Sequence, residues 1–397
     1  MHLAWAAMAR LFGSGNRLDA ELAAGGLWDA VVDRYNRGAK AHPHGVTFDK
    51  FATLYADTHR HTRDRLCQPE VFDVISDAFT AASVALAHEV GLLLASSIGS
   101  RTRPDPTCTI YGDGTVLRPM YSTPGGRTDP DAQDHHRHDG VITGTKLVHF
   151  AVRGPEPHRR IILTVDHVTD PGREADTAIT AIRRIHHHGA SGIAAVAYDG
   201  AMRGTHHNTL MTELGLIVIN RPHTSRAKNP RTHTLGTWTH TTPNGDCHHN
   251  LVARVGNVHG ATLDDSGRTV LSQPCQRLQV RRVTRPNNNY RFTVGFTVAC
   301  AAGDFTAWIA PHPRPGDTNH ARGDQLRLIS THEPLFDQLY GLRNDSEAIN
   351  ANYKSTHIHD RAPVLGVHRQ SLDLLAWSIL NNATCWAHHA SIESQAA

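Results

Sequence analysis

Between residues 106 and 222 the sequence runs strand, strand, strand, helix, strand, helix, strand, and no other feature narrows the possible folds as much. Short apolar runs bounded by glycine or polar residues mark strands at Cys108–Asp113, Lys146–Val152 and Ile161–Val165, the last two close enough to pair as a hairpin. Helical periodicity covers 173–188 and 204–214. Gly192–Asp199 and Leu216–Asn220 are nearly all apolar, as strands buried on both faces must be. The order predicts a mixed α/β sheet covered by helices.

From 223 to 319 the rhythm changes to short alternating runs: Thr234–Thr239, Asn250–Val258, Leu278–Val283, Tyr290–Val298 and Phe305–Ile309. Turn signals stand at Pro243-Asn244-Gly245 and Asp265-Ser266-Gly267. This is a β-rich insertion into the α/β unit, which resumes over 320–397 with a helix through Tyr340–Lys354. A last helix, Ser371–His389, carries an apolar stripe (Leu372, Leu375, Trp377, Leu380, Trp386) that should pack on the sheet. Residues 1–105 read as a helical N-terminal region, with amphipathic stretches at Leu27–Tyr35, Phe48–His59 and Val71–Leu94.

Composition removes several classes. At 39% hydrophobic and 19% charged, the 397 residues suit a soluble globular chain. No run reaches the ~18 apolar residues of a membrane span, and the start lacks the n- and h-regions of a signal peptide. A cytoplasmic protein without membrane contact is expected. Six cysteines with no C-x-x-C pair are expected as reduced thiols. A net charge of +3 argues neither for nor against nucleic acid. The 31 histidines, beside only five lysines, reflect GC-rich codons more than selection for metal. His135-His136-Arg137-His138 is expected in a polar loop, and His186-His187-His188 at a helix end, where cations suit the dipole.

One spacing stands out from this background: Tyr340-x2-Arg343-x3-Glu347-x6-Lys354. On a single helix at about 100° per residue the four fall inside one arc of roughly 60°. The cations suit a phosphodiester and the carboxylate a metal. The plainer reading is a surface helix with an Arg343–Glu347 ion pair, and Gly341 could split it in its first turn. Two aspartates weigh against the plainer reading. Asp113 ends the first strand between Gly112 and Gly114, and Asp199 ends the fourth before Gly200. Each alone also reads as a turn residue, but flanking glycines let a ligand come close. Three carboxylates meeting in one cleft repel unless a cation compensates, and hard Mg²⁺ takes such oxygen ligands.

Together, Tyr111-Gly112-Asp113-Gly114-Thr115-Val116, Val196-Ala197-Tyr198-Asp199-Gly200, the Tyr340–Lys354 spacing and the long β-rich insertion resemble insertion-sequence DDE transposases of the "insertion sequence four" type, over about 106–390. The resemblance implies a ribonuclease H-like sheet with the first and fourth strands adjacent. It implies Asp113, Asp199 and Glu347 as catalytic, metal-binding acids for Mg²⁺ or Mn²⁺, as two ions. Tyr340, Arg343 and Lys354 would hold the terminal phosphates of the element's ends. Trp308, in the insertion, would stack a flipped base, or else be a core residue of the β segment. DNA ends and target are the implied partners, bound by a homodimer, with residues 1–105 as the end-binding region.

Two departures qualify the likeness. After the second acid, relatives carry an Arg-Glu-Ala-Asp-like run where this chain has Gly200-Ala201-Met202-Arg203-Gly204. A similar run, Arg173-Glu174-Ala175-Asp176, begins a helix and is set aside as coincidence. The remainder after Glu347 is short, so any C-terminal dimerisation domain is reduced to one helix. Three alternatives stand beside this reading. One is an inactive copy that binds ends through residues 1–100 and Arg281, Arg282 and Arg285. The others are a different ribonuclease H-like nuclease and a His-rich metal-binding protein.

Overall fold

The computed structural model describes residues 2–11, 15–23, 33, 36, 37, 40, 56–121, 129–137, 140–156, 159–189, 191–222, 230–315, 317, 321–358 and 361–396. The expected helices Leu27–Tyr35 and Phe48–His59 fall mainly outside them.

The sheet expected over 106–222 forms from β1 (Thr109–Pro119), β2 (Gln133–Arg137), β3 (Gly140–Arg153), β4 (Arg160–His167), β5 (Ala195–Ala197) and β6 (Ile217–Ile219). Their spatial order is β4-β3-β1-β5-β6, with β2 pairing the first part of β3 on the side that β4 occupies further along. β1 runs antiparallel to β3, β3 antiparallel to β4, and β1, β5 and β6 run parallel. Period-two alternation divides the side chains between two faces. Ile110, Val148, Phe150, Leu163, Val196 and Val218 share one core, while Tyr111, Leu147, Ala151, Ile162, Ala197 and Ile219 share the other. The His135–Arg137 stretch, expected as loop, is instead part of β2. There His135 is buried and its Nε2 lies 3.1 Å from the Gly144 carbonyl, because pairing with β3 satisfies the backbone that a loop would leave to water.

Helices cover both faces. Before the sheet come α1 (His2–Leu11), α2 (Gly15–Ala23), α3 (Ala56–Leu66) and α4 (Pro69–Glu89). α4 begins on Pro69 with Glu70 in its first turn, where a missing N–H and a negative charge both suit a helix start. By length and composition alone it could cross a bilayer, but Phe72, Phe79, Val84 and Ala87 are buried and Ser76 Oγ donates to the Val165 carbonyl of β4. α5 (Glu174–His187) buries Ala178, Ile179, Ile182 and Ile185, and α6 (Gly204–Thr209) leads through a π turn, Leu210–Leu214, into β6. After the insertion come α7 (Ala321–Gln325), α8 (Pro334–Gly341), α9 (Arg343–Asn352) and α10 (Val367–Ala396). α10 lies along β4. Asn382 Oδ1 accepts from Ile162 N at 2.9 Å and its Nδ2 donates to Ile162 O at 2.8 Å, so a side-chain amide pairs the edge strand as a further strand would.

The insertion is two antiparallel sheets. Four strands, β7 (Thr232–Thr242), β8 (Gly245–Arg254), β9 (Asn257–Leu263) and β10 (Thr269–Pro274), form a meander; β11 (Gln276–Thr284), β12 (Tyr290–Val298) and β13 (Phe305–Ile309) form the second sheet. The single strand expected over Asn250–Val258 is two strands. Val255 (φ +51°) and Gly256 (φ +86°) reverse the chain, and Gly256 N donates to Gln325 O. Leu235, Leu251, Val258, Phe292, Val294 and Phe296 join the core beneath β1, β5 and β6. A two-pronged ion pair, Arg277 Nε and Nη2 to Glu333 at 2.7 and 2.6 Å, ties β11 to the residue that caps α8.

Candidate active site

The Tyr340–Lys354 segment is not one helix. α8 ends at Gly341 and α9 begins at Arg343, with Leu342 between them at φ −58°, ψ −27°. Beyond Asn352 the chain widens into a π turn, Tyr353–His357. Tyr340 therefore ends α8, Arg343 and Glu347 share α9, Lys354 lies in the π turn, and the single 60° arc does not hold. Two causes are visible: Gly341 is a poor helix former, and the wholly buried Tyr353 packs on Trp377, 5.4 Å between ring centroids. Tyr340 stacks on Phe336 at 5.6 Å, with the Arg221 guanidinium 5.5 Å over its ring.

α9 crosses β1 at Asp113. Arg343 Nη2 lies 3.6 Å from Asp113 Oδ1, and its Nη1 lies 3.0 Å from Glu347 Oε1, so one guanidinium spans two of the expected acids. Asn350 Nδ2 donates to Asp113 Oδ2 at 3.2 Å. Burial pushes the Asp113 carboxyl up to about 7; Arg343 opposes this, and the charges of Asp199, Glu174 and Glu347 add to it. Asp199 stands two residues past β5. Its Oδ1 accepts from Ala201 N at 2.8 Å, and Asn220, just past β6, donates to its carbonyl at 3.0 Å. β1 does not end at Asp113, as expected, but runs on to Pro119 because pairing with β3 continues to Leu117. Its parallel pairing with β5 stops at Tyr111 and Ala197, and Asp113 and Asp199 each stand two residues beyond that point, where α9 adds Arg343 and the exposed Glu347.

Two further side chains belong here that the sequence did not single out. Glu174, the first residue of α5, is buried, paired with Lys146 of β3 and accepting from the buried Tyr198 hydroxyl at 3.1 Å. A side chain at Gly114 would collide with this carboxylate and with the Lys146 stem, so that glycine is what lets Glu174 approach β1 beside Asp113. The signal was the Arg173–Asp176 run, read as coincidence. His149 pairs with Asp113 in the β1–β3 register, where opposite Cβ atoms lie about 5 Å apart. Its ring is fully buried, neither nitrogen has a hydrogen-bond partner among the described residues, and burial holds it down to about 4.

Asp113, Asp199, Glu174 and Glu347 are carboxylates, the ligand type a hard divalent cation takes, and a cation would offset the neighbouring charges that add to the burial shift of Asp113. Among the described residues no three His, Cys, Asp or Glu side chains gather closely enough to surround a metal as they stand; Arg343 supplies the positive charge between Asp113 and Glu347. Trp308 lies on β13, half-buried, its ring over Gly295 and 3.8 Å under the Arg281 guanidinium. Compared with protein-family models and with curated proteins, the chain matches none of them.

Proposed function

We propose that the protein is a DNA transposase that cuts phosphodiester bonds at the ends of a mobile element and joins the freed 3′-OH to target DNA. The observation that carries this reading is the setting of Asp113, largely buried on β1 among the charges of Asp199, Glu174 and Glu347, with Arg343 spanning Asp113 and Glu347. A carboxyl raised by burial, with further carboxylates adding to the shift, is an expensive arrangement that structural ion pairing alone does not require. The strand order β4-β3-β1-β5-β6, with β1, β5 and β6 parallel, is that of a ribonuclease H-like sheet and supports the same reading.

The donor set fits Mg²⁺ or Mn²⁺, and Asp113, Asp199 and Glu347 would hold it. Such a cation, when bound, polarises a phosphodiester and eases deprotonation of an attacking water or 3′-OH. The chain's own groups do the rest. Arg343, released from the carboxylates, offers a planar two-donor fork to a phosphate oxygen. Tyr340 and Lys354 flank it along the chain as an aromatic surface and a point charge. Asn350 holds one Asp113 oxygen in place, while Lys146 and Tyr198 fix Glu174.

The test is cleavage and joining of duplexes carrying the sequences that flank the reading frame, with Mg²⁺ or Mn²⁺. Wild type should nick at the repeat ends and transfer the strand, whereas Asp113→Asn, Asp199→Asn and Glu347→Gln should bind the ends without cutting. A wild type inert with both cations, or an Asp113→Asn variant that cuts normally, overturns the reading.

A further inference from the structure

The two sheets of the insertion meet at an aromatic junction. Phe305, which opens β13, stacks on His240 of β7 at 4.8 Å and leans on His249 of β8 at 5.0 Å. Strand pairing brings a cysteine to this junction from each side. On the four-stranded sheet, Cys247 stands opposite His240 in the β7–β8 register. On the other, Phe305 pairs with Val298, and two residues on is Cys300, whose carbonyl accepts from Gly303 N at 3.0 Å in the turn between β12 and β13. The two thiols are within hydrogen-bonding reach of each other. Both are partly exposed and free, whereas Cys108 and Cys275 are buried.

We propose that Cys247 and Cys300 are a redox-modification site, closing to a disulfide that clasps the four-stranded sheet to the three-stranded one when a peroxide is present. Cys300 sits in the turn that leads into β13, whereas Cys247 is held within the β7–β8 ladder, so Cys300 meets the oxidant first. Its thiolate attacks a peroxide oxygen, the O–O bond breaks, and hydroxide leaves to take up the proton that the thiol lost. The Cys247 sulfur then attacks the sulfenic acid sulfur; the S–O bond breaks and water leaves as the S–S bond forms. Two thiols lose two electrons, and one peroxide becomes two waters.

The experiment titrates the reduced full-length chain with hydrogen peroxide and reads intact mass and a non-reducing peptide map. The expected result is a loss of about 2 Da and a Cys247–Cys300 linked peptide that dithiothreitol removes. The oxidised chain should melt higher than the reduced one, a difference absent from the Cys247→Ser/Cys300→Ser variant. Formation of the link should also be many-fold faster in the native chain than in denaturant. Equal rates in the two states, a link to any other cysteine or between chains, or over-oxidation of either thiol without a link would overturn the proposal. None of these outcomes depends on DNA cleavage.

Discussion

The central sheet and the insertion hold charge in opposite ways. In the sheet, ionisable groups face inward: Asp113 is only 14% exposed and raised to about 7, and Glu174 is buried against Lys146. Asp345 is shared by Arg153 and Arg160, and His149 is sealed in uncharged at ordinary pH. In the insertion, apart from the buried Arg277, arginines lie against aromatic rings or in solvent: Arg281 is exposed over Trp308 at 3.8 Å, the half-buried Arg282 lies over Tyr290 at 4.4 Å, and Arg268, Arg285 and Arg291 are exposed. The first arrangement costs stability, and the proposed function would account for it; the second costs little and leaves charge and aromatic surface at the outside.

The sharpest test of that contrast is Asp113→Asn. Cleavage should fall on the order of 10³-fold or more, while stability moves the other way. A carboxyl whose folded value lies near 7 binds protons that the unfolded chain has released, so its stabilisation is complete below about 4 and is lost as pH rises to 7. At pH 8 the variant should therefore be more stable than wild type, on the order of 2 kcal/mol, by chemical denaturation. Lower stability would mean that Asp113 is structural.

His149 predicts the opposite limb. A histidine held down to about 4 keeps the fold intact at neutral pH and penalises it as pH falls below about 6.5, where only the unfolded chain takes up the proton. The loss should reach about 3 kcal/mol by pH 4, and His149→Phe should flatten it. A similar acid limb in both proteins would assign it to other groups, first His207, which burial holds well below the usual histidine range, then His312, which burial brings to about 4.

Removing Asp345 leaves two half-buried guanidiniums without their carboxylate, and Asp345→Ala should cost about 2 kcal/mol in urea unfolding. Arg281→Ala on the insertion should cost less than about 1 kcal/mol; equal costs would erase the distinction between the two regions. The smallest effect concerns Arg343. If it meets phosphate, Arg343→Ala should weaken end-DNA binding and reduce the slope of log affinity against log salt by about one. Parallel lines for the variant and wild type would confine Arg343 to its carboxylate partners.

The contrast also explains what could be read from sequence. Tyr290–Val298 and Phe305–Ile309 are strands at the residues expected, because one face is buried and the alternation is clean. Gly192–Asp199 shrinks to Ala195–Ala197, since residues flanking a buried strand are buried too and periodicity cannot mark where pairing stops. Asp113 and Asp199 were legible through their glycine neighbours. Glu174 was visible but set aside, because only the fold brings a helix start beside β1. His149 was not legible at all: its place opposite Asp113 is a matter of register, which no local pattern carries. The π turn at Lys354 follows from Tyr353 packing on Trp377, a residue 24 positions on.

α9 is gripped from two opposite sides. Arg343, Glu347 and Asn350 fall within an arc of roughly 60° facing Asp113, while Asp345, about 180° away around the axis, is fastened to Arg153 on β3 and Arg160 on β4. A rod pinned along both flanks cannot roll, and two anchors on different strands also stop it sliding. Whatever enters beside Asp113 must then be met by side chains alone, with the Arg343 guanidinium as the moving part and the helix as its fixed hinge post. The cleft would answer an incoming charge by a rotamer change, on a timescale of nanoseconds, while the backbone around it stays still.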